Sequence, residues 1–179
     1  MTYIYTMNTI FITSIALILL YFVWVVNQLV RSRNMVEEAW SDIDVLLKRR
    51  YDLIPNLIET VKAYAKHEKN LFEDLTKARS EAISSDTLAD KGTADKNVTL
   101  GIKNILAWAE NYPKLMASQN FLELQKNLTE TEDVIAKARK YYNGTVREFN
   151  IKIQSFPDWI IAKISGYKAK EFFQYDENL

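Results

Sequence analysis

The most constraining feature of this chain is an N-terminal segment of thirty residues that contains no charged side chain. Within it, residues 10–26 read I-F-I-T-S-I-A-L-I-L-L-Y-F-V-W-V-V, broken only by Thr13 and Ser14. A helix needs roughly 20 predominantly apolar residues to cross the hydrocarbon core of a bilayer, and aromatic side chains favour the two interfaces. The segment therefore predicts a membrane anchor that includes Ile10, Leu17, Leu20, Tyr21 and Trp24.

A cleaved signal peptide is the alternative to an anchor. Such a peptide has a basic start, a shorter apolar core of about 7 to 15 residues and a small-residue cleavage site. Here residues 1–9 contain no Lys or Arg, and the run continues into V-V-N-Q-L at residues 25–29. The pattern favours an anchor that is retained.

The charges that flank the apolar run predict its orientation. Basic residues follow it at Arg31 and Arg33 and again at residues 48–50, whereas the N-terminal tail has none. Basic residues near a membrane span favour the cytoplasmic side. We therefore expect a single-pass protein of the cell membrane with residues 1–30 as external tail and span, and residues 31–179 as a cytoplasmic domain.

Helical periodicity dominates the rest of the chain, and no segment alternates with the period of a strand. A first long helix begins either at an Asn34 cap or as an unbroken continuation of the span, and it ends near Lys66 and His67. A second helix follows to about residue 83, and the polar composition of residues 84–93 predicts a loop. A third helix should end at residues 111–113, N-Y-P, where proline stops it.

The fourth helix has the clearest pattern. Apolar or small residues recur in steps of three and four, a spacing typical of coiled-coil packing, at Phe121, Leu124, Leu128, Thr131, Ile135, Ala138, Tyr142, Thr145 and Phe149. Two long and two short helices predict an all-α fold in which the transmembrane helix is followed by an antiparallel four-helix bundle.

The residues that most catalytic and cofactor sites require are scarce in this chain. It has no cysteine and a single histidine, His67, which cannot supply the paired ligands of a zincin or a ferritin-like di-iron site. Its four glycines are scattered, and a net charge of zero gives no footprint for nucleic acid. We expect no catalytic residue, no cofactor and no metal.

One polar cluster interrupts the first long helix. It comprises Arg49, Arg50, Asp52, Pro55 and Asn56, and Arg50 lies in line with Val36, Ile43 and Leu57, where an apolar residue belongs. A buried guanidinium needs a partner, for which Glu132 or Glu130 of the fourth helix is a candidate. Pro55 predicts a kink. The cluster is either a structural network between the long helices or a groove in which a partner's peptide or helix docks.

The C-terminal stretch is unusually apolar. Residues 157–158, P-D, are a good helix start, and the helix that follows should place Ile160, Ile161 and Ile164 on one face beside Trp159. This candidate interface would either pack against the base of the bundle with partial membrane contact or remain free to bind a partner.

The chain resembles the LemA family in several blocks. They are N-M-V-E-E-A-W-S-D-I-D-V at residues 34–45, L-K-R-R-Y-D-L-I-P-N-L-I-E-T-V-K at residues 47–62, E-N-Y-P at residues 110–113, N-F-L-E-L-Q at residues 120–125 and A-R-K-Y-Y-N at residues 138–143. The resemblance implies a bacterial protein with one N-terminal span and a cytoplasmic four-helix domain. It supplies no enzymatic activity, no cofactor and no catalytic residue, although one branch of the family takes part in forming magnetosome membranes.

Together these features predict a membrane-anchored helical scaffold or adaptor that acts on other membrane proteins or on the bilayer. The alternative from another class is an accessory factor or enzyme-like component that assists a membrane protease at the cytoplasmic face. A solvent-accessible Arg50 beside convergent carboxylates would favour that alternative.

Overall fold

A computed structural model describes residues 2–65 and 69–174 of the chain. In these residues it contains helices and no strand, which confirms the all-α prediction. The six helices are α1 (Thr2–Lys62), α2 (Lys69–Ser84), α3 (Leu88–Ala109), α4 (Pro113–Met116), α5 (Gln119–Gln154) and α6 (Asp158–Ile164). The predicted break at Lys66 and His67 lies outside the described residues, between the end of α1 and the start of α2.

Helix α1 runs for 61 residues without interruption. The cap predicted at Asn34 is therefore wrong, and the alternative of a helix that continues out of the apolar run is confirmed. Arg33 and Glu37 lie one turn apart in the middle of it, and the Nε of Arg33 donates a hydrogen bond of 2.8 Å to the Oε1 of Glu37. This exposed pair supports the helix across the position where a cap at Asn34 would have begun a new one.

The chain divides into two compact units. The first comprises Met1–Glu38 and Gly144–Glu171, and the second comprises Ala39–Asn143 and Phe172–Leu179. In the first unit, Val25 and Leu29 of α1 form a small buried cluster with Ile161 and Ala162 of α6. Helix α6 is thus attached to the end of the apolar run. The predicted domain boundary at residue 30 stays a prediction.

The second unit has a core to which four helices contribute. Fully buried side chains come from α1, α2, α3 and α5, for example Ile54, Leu75, Ile105 and Ile135. In the part of α5 that belongs to this unit, the buried side chains Phe121, Leu128, Ile135 and Tyr142 recur every seven residues, as the sequence pattern predicts. The antiparallel four-helix arrangement itself stays a prediction.

Helices α2 and α3 pack closely in this unit. A Cβ added to Gly101 of α3 would lie 2.9 Å from the Cδ1 of Leu75 in α2, closer than side chains tolerate. Glycine at this position costs some helix stability, because its backbone loses more conformational freedom on folding. In return it lets the two helices approach each other.

The polar loop predicted over residues 84–93 is too long. Helix α3 begins at Leu88, and the hydroxyl of Thr87 caps it by accepting a hydrogen bond of 3.1 Å from the N–H of Asp90. Composition alone predicts a loop here, because Ser, Thr, Asp and Gly are common in turns. Ser, Thr and Asp are equally typical of a helix N-terminus, where they satisfy free backbone N–H groups.

Candidate functional site

A network of four charged side chains lies inside the second unit. The guanidinium of Arg50 (α1) is ion-paired with Asp95 (α3) and with Glu132 (α5), and Arg139 (α5) is also ion-paired with Asp95. The Nη1 of Arg139 lies 3.6 Å from the Oε1 of Glu132. Two arginines and two acids therefore form a closed, electrically neutral ring that joins three helices.

Neutral groups extend the network. The phenol of Tyr51 donates a hydrogen bond of 3.2 Å to the Oδ1 of Asp95. The Nη1 of Arg50 donates to the hydroxyl of Thr99 at 3.2 Å, and that hydroxyl in turn donates to the backbone oxygen of Asp95 at 3.0 Å. These bonds hold the carboxylate of Asp95 between the two guanidinium groups.

Burial sets the energetics of the network. Arg50 is 1% exposed, Asp95 2% and Arg139 3%, whereas a third of the Glu132 side chain reaches solvent. Burial lowers the pKa of the Arg50 guanidinium, an effect that Glu132 opposes, and it raises the pKa of the Tyr51 phenol. Removing one partner of such a buried pair leaves an uncompensated charge, which costs about 3–5 kcal/mol.

The structure separates the predicted polar cluster into an inner and an outer part. Arg50 alone points inward, to Glu132, whereas Glu130 lies within 3.8 Å of Lys126 on the surface. The outward-facing members are Arg49, Asp52, Pro55 and Asn56, all of which are exposed. The cluster therefore does not form one site.

Pro55 lines a groove beside α2. Its volume is about 340 Å³, and its lining residues are Ile54, Pro55, Ile58, Glu59, Lys62, Thr76 and Arg79. A proline in a helix removes one hydrogen bond, so the backbone carbonyl of Tyr51 loses its helical donor. The Nε of Arg79 replaces that donor, at 2.8 Å. Whether the groove binds a partner stays a prediction.

Sequence reasoning missed two members of the network, Asp95 and Arg139. Arg139 lies four residues after Ile135 and three before Tyr142. Its spacing therefore fits the buried seam of α5, as does that of its neighbour Ala138. Asp95 lies three residues before Val98 and seven before Ile102, on the buried face of α3. Charged residues at apolar positions on two helices were the signal that could have revealed both.

The predicted anchor residues lie on the exposed surface of α1. Ile10, Leu17, Leu20 and Trp24 are 56–67% exposed, and Tyr21 is 41% exposed. In the described part of the chain, one helix is long and apolar enough to span a membrane. It is α1, with a mean hydropathy of 2.5 over its best 18 residues, of which only 6% is buried. A core helix of a soluble protein with this hydropathy would be mostly buried.

The residues of the predicted C-terminal interface differ in burial. Helix α6 begins at Asp158, as expected, but Ile161 is buried against Val25 and Leu29. Trp159, Ile160 and Ile164 remain exposed, Ile164 by 75%. Helix α6 thus packs one of the three isoleucines against α1. Whether Trp159, Ile160 and Ile164 contact a membrane or a partner stays a prediction.

Among residues 2–65 and 69–174 no group of three His, Cys, Asp or Glu side chains could hold a metal ion. The two acids of the network, Asp95 and Glu132, are instead neutralised by arginines. The ring of ion pairs therefore holds three helices in register.

Comparison with known proteins places the chain among relatives of low identity. It is 25% identical over 174 residues to Magnetosome protein MamQ 2 of Paramagnetospirillum magneticum, an alignment that covers 83% of this chain and 64% of that protein. With Magnetosome protein MamQ of Magnetospirillum gryphiswaldense the identity is 24% over 169 residues, covering 78% and 62%. The chain thus spans just under two thirds of the length of these magnetosome proteins.

A third relative is closer in length. Protein LemA of Metamycoplasma hominis is 28% identical over 156 residues, covering 85% of this chain and 71% of that protein. The model of the LemA family matches residues 39–179, which include the ion network and α6. This chain belongs to the LemA family.

Proposed function

We propose that this protein is a single-pass, membrane-anchored scaffold or adaptor that acts by binding other membrane proteins. The observation that carries the proposal is the contrast within α1. Its N-terminal part exposes large apolar side chains from Ile10 to Trp24, whereas residues from Ala39 onward contribute to a charge-rich unit with its own core. Such a helix is suited to the bilayer at one end and to a folded domain at the other.

The same proposal includes a topology. The basic residues Arg31 and Arg33 directly follow the apolar run, and the tail before it carries no charge. The positive-inside rule then orients the tail outward and the helical domain into the cytoplasm. In this arrangement α1, α2, α3 and α5 form an antiparallel four-helix bundle, supported by the buried side chains that each contributes to one core.

Binding is favoured over catalysis by the burial of Arg50. A catalytic arginine must meet its substrate, but Arg50 is 1% exposed and is ion-paired with Asp95 and Glu132. The network is therefore suited to fixing the shape of a binding domain. The names of the relatives described above are not enzyme names, which agrees with this proposal.

Proximity labelling in native membranes tests the scaffold role. A biotin ligase fused to the C-terminus of the full chain should label a reproducible set of membrane proteins that is absent when the ligase is fused to residues 1–38 alone. Identical sets from the two fusions would mean that the helical domain recruits nothing, and would contradict the proposal.

A variant in which the groove is filled tests whether partner proteins bind there. Thr76→Trp places a large ring at the exposed edge of the groove beside Pro55, and Thr129→Trp places the same ring on the exposed surface of α5. If the groove binds a partner, only Thr76→Trp removes proteins from the labelled set.

A further inference from the structure

The C-terminal segment is bound to the second unit as an extended peptide would be. Asn143 of α5 makes two hydrogen bonds to the backbone of Phe173. Its Oδ1 accepts from the N–H at 2.8 Å, and its Nδ2 donates to the carbonyl oxygen at 3.1 Å. A neighbouring β-strand would satisfy a peptide in the same way, so this contact recognises an extended backbone whatever its side chains.

The same pair of hydrogen bonds occurs a second time in the chain. In the first unit, the Oδ1 and Nδ2 of Asn150 bind the backbone N–H and carbonyl of Lys170, both at 2.8 Å. The repetition shows that α5 uses asparagine side chains as receptors for the peptide backbone of this segment.

The side chain of Phe173 enters a pocket, which we call the Phe173 pocket, formed by Trp40, Gly92, Arg139 and Asn143. The ring is 3% exposed, and its centroid lies 6.2 Å from that of Trp40 and 5.2 Å from the Cζ of Arg139. The preceding side chain, Phe172, is 47% exposed. The pocket therefore accepts one aromatic ring and leaves its neighbour in solvent.

Gly92 lets the C-terminal segment lie close to α3, because it has no side chain. A Cβ at this position would lie 3.2 Å from the backbone oxygen of Gln174 and 3.9 Å from the ring of Phe173. Glycine inside a helix is less favourable than alanine, because its backbone loses more conformational freedom on folding. Its presence in α3 is explained by the close approach of the bound peptide.

We propose that the Phe173 pocket is a peptide-binding site for an extended, aromatic segment of a partner protein, and that the chain's own C-terminal segment is the ligand that occupies it at rest. It would be a contact site of the scaffold proposed above, and rests on that role. The contacts described here recognise only a backbone and one ring, so another peptide with the same two features fits equally well.

Tethering makes the resident segment a competitor. A covalently linked ligand acts at an effective concentration in the millimolar range, so a partner must bind more tightly than the free segment does. Because Arg139 contacts both the ring and Asp95, an exchange of the occupant directly affects a member of the ion network.

Fluorescence anisotropy with the full chain in detergent tests the proposal. The probe is a capped, fluorescein-labelled peptide with the sequence of residues 168–174, K-A-K-E-F-F-Q. It should bind the variant Phe173→Ala, whose own segment no longer places a ring in the pocket, at least about tenfold more tightly than it binds the parent, whose pocket holds the ring of Phe173. Adding Asn143→Ala to Phe173→Ala should weaken binding again.

The two adjacent phenylalanines of the probe provide a matched control. Alanine at the position of Phe173 should weaken binding by about tenfold or more, because it removes the ring that is buried in the pocket. Alanine at the position of Phe172 should change it by less than about threefold, because that ring faces solvent.

Three results would overturn the proposal. The first is equal weakening by the two alanine peptides. The second is absence of binding to Phe173→Ala when the circular dichroism spectrum of this variant matches that of the parent. If the two spectra differ, a chain that ends at Glu171 is used in place of Phe173→Ala. The third is a parent dimer that dissociates on Phe173→Ala, which would assign the pocket to a second copy of this chain. None of these depends on the labelling experiment above.

Discussion

At the scale of single residues, Arg50 combines a buried position with a charge. Its side chain occupies a position on the apolar face of α1, and its charge is balanced by Asp95 and Glu132 on two other helices. An isolated charge in this place would cost several kcal/mol of stability. A neutral, hydrogen-bonded ring instead requires the three helices to adopt one register.

We expect Arg50→Ala to lower the free energy of unfolding by about 3–5 kcal/mol, because it leaves the buried Asp95 with one partner fewer. Arg49→Ala is the matched control, since its side chain is exposed and its loss should matter by less than about 0.5 kcal/mol. Urea unfolding of the full chain in detergent, followed by circular dichroism, gives both values. Equal, small effects would show that Arg50 is not part of a buried network.

The same residues show how far sequence reasoning reaches. The pairing of Arg50 with a glutamate of α5 could be anticipated, because one basic residue interrupted a long apolar stripe. Asp95 and Arg139 were not recognised in this way, because Ala138 already completed the seam beside Arg139, and Asp95 lies just after the segment that was predicted as a loop. Only the three-dimensional packing decides which of two neighbouring helical positions faces inward.

At the scale of elements, Pro55 and Arg79 compensate each other. Proline interrupts the hydrogen bonding of α1, and Arg79 of α2 donates to the carbonyl that is left free. This bond fixes the two helices relative to each other at the groove.

A double-mutant cycle tests this compensation. Arg79→Ala should cost about 1.5 kcal/mol in the parent, the lower end for a hydrogen bond from a charged group, because the side chain is partly exposed. In a Pro55→Ala background, where the helix regains its own N–H donor, the same change should cost less than about 0.5 kcal/mol. Equal costs in the two backgrounds would mean that Arg79 does not replace the missing donor.

The start of α3 illustrates an error of composition. Residues 84–93 look like a loop because they are polar, yet α3 already begins at Leu88 under the cap of Thr87. Thr87→Ala should therefore lower stability by about 1 kcal/mol, whereas the exposed Thr93→Ala, inside the helix, should have an effect below about 0.5 kcal/mol. A thermal melt of each variant measures the difference.

At the scale of the whole molecule, the helical class and the long apolar N-terminal helix followed from periodicity and charge. Packing of α6 against the base of the bundle was one of two predicted alternatives, but its contact with Val25 and Leu29 was not foreseen, because both residues were assigned to the membrane span. Periodicity shows that a face is apolar, but it does not show which other face covers it. The cluster of Val25 and Leu29 with Ile161 and Ala162 supplies that information.

Single cysteines test most directly whether α1 anchors the chain in the membrane with its helical domain in the cytoplasm, as we propose. The chain has none of its own, so Tyr3→Cys and Asp86→Cys each introduce one thiol at an exposed position. With a membrane-impermeant maleimide, Tyr3→Cys should be labelled in intact cells, and Asp86→Cys only after lysis. Labelling of Asp86→Cys in intact cells, or loss of residue 3 from the mature chain, would contradict the account.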